Sequence, residues 1–316
     1  MVRALRVAAV PLEFRDAPHG EAARERLLAA AVGVSAERPR LIALPALTGL
    51  LPLAAVAGEP PRWDQRLRRL IARHGEALEE MLAEWAAGLA RTLNVYLCAG
   101  TVLVPAGGGV QHVALCFGPD GRMVARQAQL HVRPGEAEAG LTGGDEIVTF
   151  EVDGWRAALV VGEDGWVPEV ARLLSLQGVR LVIHPSFHFR PCSRWHAIAG
   201  PWQLVQQSQI YWLHVAPGGE LGGRALAPRA ALFAPCEITP EGRGWLADDD
   251  SGRPVVVELD PRALAGIRER YPLDRFLNPG LYLRELAAAY REALESGPAG
   301  DPGHAFGAGA AGGVTA

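Results

Sequence analysis

The chain has 316 residues, 49% of them hydrophobic, which is enough for one large α/β domain with a substantial core. Its formal net charge of -4 gives no basic footprint and excludes nucleic acid as a partner class. All 31 basic residues are arginine, so any chemistry that needs a lysine has no side chain to run on.

The sequence goes straight into a strand pattern over residues 5–12, without the charged, apolar and cleavage regions of a leader, and a cytoplasmic protein is expected. An alanine-rich helix is predicted over 21–34 and a continuous buried strand over 40–45, a β-α-β opening with a right-handed crossover. Residues 41–58 carry no charge and approach spanning length. Pro45, Thr48, Gly49 and Pro52 interrupt them, so a buried strand leaving into an apolar loop is predicted rather than a membrane span. A long helix over 64–92, broken near Gly75, leads to strands over 95–104 and 110–117 and a return strand over 122–129. The turns Ala106 to Gly109 and Gly118 to Gly121 join these strands.

Residues 132–145 are rich in Gly, Pro and Ala and are predicted as loop. A hairpin over 147–152 and 155–161 precedes the turn Gly162-Glu163-Asp164-Gly165. A helix over 167–177, a strand over 179–184, a loop over 187–193 and a helix over 195–209 follow. Strands are predicted over 210–215, 229–233 and 255–259, then helices over 261–270 and 281–295. Residues 297–316, Gly- and Ala-rich, are expected to be a disordered tail. The four cysteines, Cys98, Cys116, Cys192 and Cys236, show neither CxxC pairing nor metal spacing. Cys98 and Cys116 lie in apolar runs and read as reduced buried thiols. No metal and no other cofactor is expected.

Five segments in order are similar to the nitrilase, or carbon–nitrogen hydrolase, superfamily. They are LIALPALTGL, FGPDGRMVARQAQLH, GGDEIVTFEVDG, GEDGWVPEVARLLSLQGVRLVIHPS, and VVVELD with its arginine-rich helix. The resemblance implies a four-layer α-β-β-α sandwich with mixed sheets over residues 1–282, followed by a C-terminal helix over 283–296 and the tail. It also implies hydrolysis of non-peptide C–N bonds, of the amidase or nitrilase kind, by a glutamate base, a lysine and a cysteine nucleophile. The family places the glutamate after the proline ending the second strand, the lysine two residues before a histidine, and the cysteine at the elbow. Here those positions hold Ala46, Gln129 and Gly162, while the flanking Pro45, His131, Asp164, Pro168 and Glu169 keep the pattern. Loss of a nucleophile alone costs about a millionfold in triad enzymes, so the family mechanism is excluded. Losing both charges together also avoids stranding one buried charge, at roughly 3–5 kcal/mol.

The expected reading is therefore a pseudoenzyme that binds a small ligand or a protein partner. Candidate pocket residues are His131, Glu136, Glu163, Asp164, His188 and Cys192. Glu136 or Glu138 fills the family's second glutamate position and, lacking a lysine, needs Arg133 or Arg190. His131 is expected to be a structural hydrogen-bonding histidine. Cys192 with His188 or His196 forms the alternative of an active enzyme on relocated residues, to which Glu163 and His131 also belong. Glu163 and Asp164 lack a third metal ligand at suitable spacing. In the family the helices over 167–177 and 195–209 form a dimer interface. The resemblance thus implies a homodimer, or a heterodimer in which this chain is the non-catalytic subunit of an active paralogue.

Overall fold

The computed structural model describes residues 2–15, 20–58 and 65–296. Its first half runs β1 (Leu5–Ala9), β2 (Glu13–Phe14), α1 (Gly20–Gly33), β3 (Leu41–Ala43), α2 (Leu53–Ala57), α3 (Gln65–Leu93), β4 (Tyr96–Ala106), β5 (Gly109–Phe117), β6 (Met123–Ala128) and α4 (Pro134–Glu138). The second half runs β7 (Thr149–Val152), β8 (Trp155–Leu159), α5 (Pro168–Leu176), β9 (Leu181–Pro185), α6 (Arg194–Ser208), β10 (Tyr211–Ala216), β11 (Gly218–Leu221), β12 (Arg224–Leu226), β13 (Arg229–Phe233), β14 (Trp245–Asp249), β15 (Val255–Leu259) and α7 (Pro261–Arg270). These lie in a compact unit, Met1–Tyr271. The described part of a second unit, Pro272–Ala316, carries α8 (Leu273–Phe276) and α9 (Pro279–Ser296).

Alternation along the strands builds the layers. Successive side chains of a strand point to opposite faces, and strands covered on both faces are apolar throughout. In β1 and β3, Leu5, Val7, Ala9, Leu41 and Ala43 enter the core between two sheets. Their neighbours Ala8 and Ile42 turn the other way, to a core shared with Leu27 of α1 and Ile71, Leu78 and Leu82 of α3. On the second sheet, Ala157, Leu159, Leu181, Ile183 and Leu213 face the inter-sheet core. Ala158, Val182 and Trp212 pack outward with Leu174 of α5 and Ile198 and Val205 of α6. Helix, sheet, sheet and helix are the four layers the sequence predicts.

Both sheets have six strands, in the orders β15-β1-β3-β4-β5-β6 and β14-β13-β10-β9-β8-β7. Each is parallel at its centre, where helices return the chain, and antiparallel at its edges, where tight turns join β4 to β5, β5 to β6 and β7 to β8. This arrangement brings the ends of β3, β6 and β8 together.

Several elements differ from the expectation. The first strand stops at Ala9 instead of reaching Leu12, since Pro11 cannot donate to a ladder. Helix α3 continues through Gly75, where the roughly 1 kcal/mol propensity penalty is smaller than what its buried face gains. The expected loop at 132–145 contains α4, which Pro134 starts and the Glu136 side chain caps on the Arg133 amide. Strands β2, β11 and β12 form a third, small sheet, and β14 adds an edge. The predicted tail, 297–316, lies outside the described residues. No helix among the described residues is long and apolar enough to cross a membrane.

Candidate functional site

After β8 the buried residues Val160 and Val161 lead into a tight turn that begins at Gly162. Gly162 has φ +52°, in the left-handed region that favours glycine. A Cβ at this position would lie 2.9 Å from Gln129 Oε1 and 3.7 Å from His112 Nδ1. The elbow is therefore pressed against the end of the β6 segment, and the volume of a side chain at 162 is already taken.

Gln129 cannot easily yield that volume. Its Nε2 donates to the His131 carbonyl at 2.7 Å and to Glu136 Oε2 at 3.2 Å, which fixes the orientation of the amide. Oε1 must then accept from His112 Nδ1, at 2.9 Å. Burial holds His112 below its ordinary pKa, with Gln129 and Glu136 opposing, so the neutral ring accepts at Nε2. The donor is the Thr101 hydroxyl, at 2.5 Å, and the same oxygen accepts the Leu47 amide at 2.7 Å. Leu47 directly follows Ala46, which is fully buried. One hydrogen-bond chain thus runs from the residue after Ala46 to Gln129, whose amide oxygen also faces Gly162, and both ring nitrogens of His112 are engaged in it.

A cysteine at 162 is accordingly expected to destabilise the fold by about 2 kcal/mol, from left-handed strain and displacement of a pinned amide. Urea melts of Gly162→Cys check this, and a midpoint equal to the wild type would show that the volume is free.

The carboxylates have their own partners. Glu136 accepts the Arg133 amide at 3.0 Å, and the Arg133 guanidinium bridges Glu136 at 3.5 Å and Glu163 at 3.1 Å. Arg133 is thus the cation that Glu136 needs, whereas Arg190 is spent on the Leu226 carbonyl. Burial raises the Glu163 pKa and Arg133 opposes it. Asp164, 1% exposed, accepts the Leu130 and His131 amides, both at 2.8 Å, and His131 Nδ1 at 2.9 Å. His131 is a structural partner of the elbow.

A second chain approaches Gly162 from behind. Trp212 Nε1 can only donate, so its 3.1 Å bond makes His184 Nδ1 an acceptor and puts the proton on Nε2. That Nε2 donates to the Gly162 carbonyl at 2.9 Å. His214 Nδ1 donates to the same His184 nitrogen at 3.1 Å, and His188 Nε2 faces His214 Nε2 at 3.4 Å. His188 therefore ends a buried histidine row. The Cys192 thiol donates to the Ser193 carbonyl at 3.5 Å, and burial raises its pKa, against the needs of a nucleophile.

Burial pushes His184 down to about 4 from 6.5, and His214 well below its ordinary value with the neighbouring histidines and Arg229 adding to it. Between those two values the unfolded chain binds a proton that folded His184 refuses. Stability is then complete above 6.5 and falls as the pH drops toward 4, by roughly 3 kcal/mol for this residue. Glu163 and Asp164, raised by burial, work in the opposite sense, so the comparison with His184→Gln isolates the histidine. Urea melts at about pH 5 and about pH 7.5 should show a shallower pH dependence in the variant. Equal slopes would contradict the assignment.

A cavity of about 950 Å³ opens on this network. His112 lies at its inner end with Leu47, Ile71 and Leu103, and Arg133, Glu136 and Glu138 line its more exposed part. Of the six sequence candidates, Glu136 is in the lining. His131, Glu163, Asp164, His188 and Cys192 are not. Neither His112 nor Thr101 was singled out from the sequence.

The carbon–nitrogen hydrolase family model matches residues 19–216. Omega-amidase NIT2 of Homo sapiens is 24% identical over 213 residues, covering 63% of this chain and 73% of that protein. A carbon–nitrogen hydrolase from Helicobacter pylori G27 has a TM-score of 0.73 at 18% identity, over 90% of this chain and 99% of that one. An amidase from Nesterenkonia sp. has a TM-score of 0.64 at 18% identity, over 86% and 96%. At such identities the structural likeness speaks for the fold, and the sequence match extends over more than half of the chain. The chain belongs to the carbon–nitrogen hydrolase family.

Proposed function

We propose that this protein is a nitrilase-fold pseudoenzyme whose cavity binds a small ligand without hydrolysing it. The observation that carries this reading is the Gln129 amide oxygen, 2.9 Å from where a Cβ at Gly162 would stand. A nucleophile there has neither an atom nor the space for one. Gln129 and Ala46 are neutral where the family mechanism needs an ammonium and a carboxylate.

One arrangement favours a second reading, an enzyme on relocated residues. Thr101 Oγ1, His112 and the Gln129 carbonyl are ordered like a nucleophile, its base and the group that orients the base. Against it, Thr101 is fully buried, its oxygen already accepts the Leu47 amide, and the cavity lining holds His112 but not Thr101. An attacking oxygen must reach its carbonyl, and this one is behind its own base.

Ammonia release from a panel of amides, nitriles and carbamoyl compounds separates the two. The expected result is no release above buffer. Turnover that disappears in Thr101→Ala, or in Cys192→Ala or Glu163→Gln, would overturn the pseudoenzyme reading.

A further inference from the structure

Resting on the reading of the cavity as a ligand site, we propose that its ligand is an amphipathic organic anion, a carboxylate on a medium-length apolar body. The inner walls are buried and apolar, formed by Leu47, Leu67, Ile71, Leu103 and Val110. His112 at the inner end has both ring nitrogens engaged, by Thr101 and Gln129, and presents no free donor or acceptor to a guest. A polar group entered there would lose its water without replacement, so the inner end takes the apolar part of the ligand.

The exposed part of the lining has the opposite character. It carries four arginines, Arg68, Arg69, Arg133 and Arg224, against Glu136 and Glu138. Arg133 is already shared between Glu136 and Glu163. That leaves three guanidinium groups facing one further carboxylate. The Arg224 guanidinium carbon sits over the Phe189 ring, 3.5 Å from its centroid, and Arg68 is steadied by the Gly108 carbonyl at 3.1 Å. Guanidinium groups held in place bind a carboxylate through paired N–H donors at little entropic cost. The volume of about 950 Å³ is far more than a bare carboxylate needs and accommodates a body of drug-like size.

Titration calorimetry on the full chain with octanoate, octanamide and acetate tests this. The three probes share either the apolar body or the charge. Octanoate is expected to bind at least tenfold more tightly than octanamide or acetate, and more weakly as salt is raised. The double variant Arg69→Gln with Arg224→Gln is expected to lose at least tenfold for octanoate and to keep its binding of octanamide. Both arginines are exposed, so an unchanged melting temperature shows that the variant is folded. Octanamide binding as tightly as octanoate, or no octanoate binding at millimolar concentration, would overturn the proposal while leaving the pseudoenzyme reading in place. Ammonia released from octanamide would overturn that reading instead.

Discussion

Replacing Asp164 with alanine is expected to destabilise the protein by about 3 kcal/mol, because two part-buried backbone amides lose their shared, buried acceptor together. The carboxylate is 1% exposed and takes the Leu130 and His131 amides, one on each oxygen, with His131 Nδ1 as a third donor. Burial still raises its pKa despite these bonds, so desolvation outweighs them in setting the charge. The bonds matter for shape. They tie the residues following Gln129 to the elbow that begins at Gly162, and so hold the Gln129 amide against His112. Asparagine keeps one acceptor and should recover about half of the loss. Urea unfolding measures both variants. An Asp164→Ala protein within about 1 kcal/mol of the wild type would show that the elbow does not depend on this clamp.

A loss of similar size, about 3–5 kcal/mol, is expected for Asp248→Ala, for a different reason. Arg229 of β13 and Asp248 of β14 form an ion pair at 2.5 and 2.7 Å, with side chains only 3% and 4% exposed. Removing the carboxylate leaves a guanidinium buried, with an Nε that already has no partner. Replacing both residues by apolar ones of similar volume removes the charge as well, and is expected to cost much less than the single change. Calorimetric melting of Asp248→Ala beside Arg229→Met with Asp248→Leu reads the difference. Equal losses in the two proteins would mean that packing, not an uncompensated charge, dominates at this edge.

The mixed sheets were legible because their central strands are apolar on both faces and helices separate them at short intervals, whereas the four-layer sandwich came from the resemblance of five segments to the family. The runs at Leu41, Ala157 and Leu181 could only be interior strands. What escaped was short or polar. Strands β11 and β12 contain glycines and arginines, β14 ends in aspartates that read as turn, and α4 is five residues in a glycine-rich stretch. At the site, the positions of Ala46, Gln129 and Gly162 could be named from the sequence, and so could Arg133 as a partner for Glu136. His112 could not, because in GVQHVALCF it looks like any half-buried strand residue. Its role depends on Thr101, on the neighbouring strand. One local signal was present. Gly100 interrupts an apolar strand with φ +78°, and the register shifts between Cys98 and Thr101. An added Cβ at Gly100 would lie 1.9 Å from the Pro45 carbonyl oxygen. A glycine of that kind marks a bulge, and bulges re-aim the side chains beside them.

The residues at and around the three positions have a physical consequence for the cavity. A network, Leu47 to Thr101 to His112 to Gln129, borders the inner end of the cavity with no donor or acceptor of the ring left over, and Gln129 joins it to the Glu136 carboxylate. Restoring lysine at 129 would remove the Oε1 to which His112 Nδ1 donates. The pseudoenzyme reading requires that no group in this site attack a carbonyl. A single-turnover experiment with protein in excess over octanamide, followed by intact mass and by recovery of the amide, tests it most directly. Full recovery of octanamide and an unmodified protein mass are expected, and an acyl adduct mapping to Thr101 or Cys192 would overturn the pseudoenzyme reading.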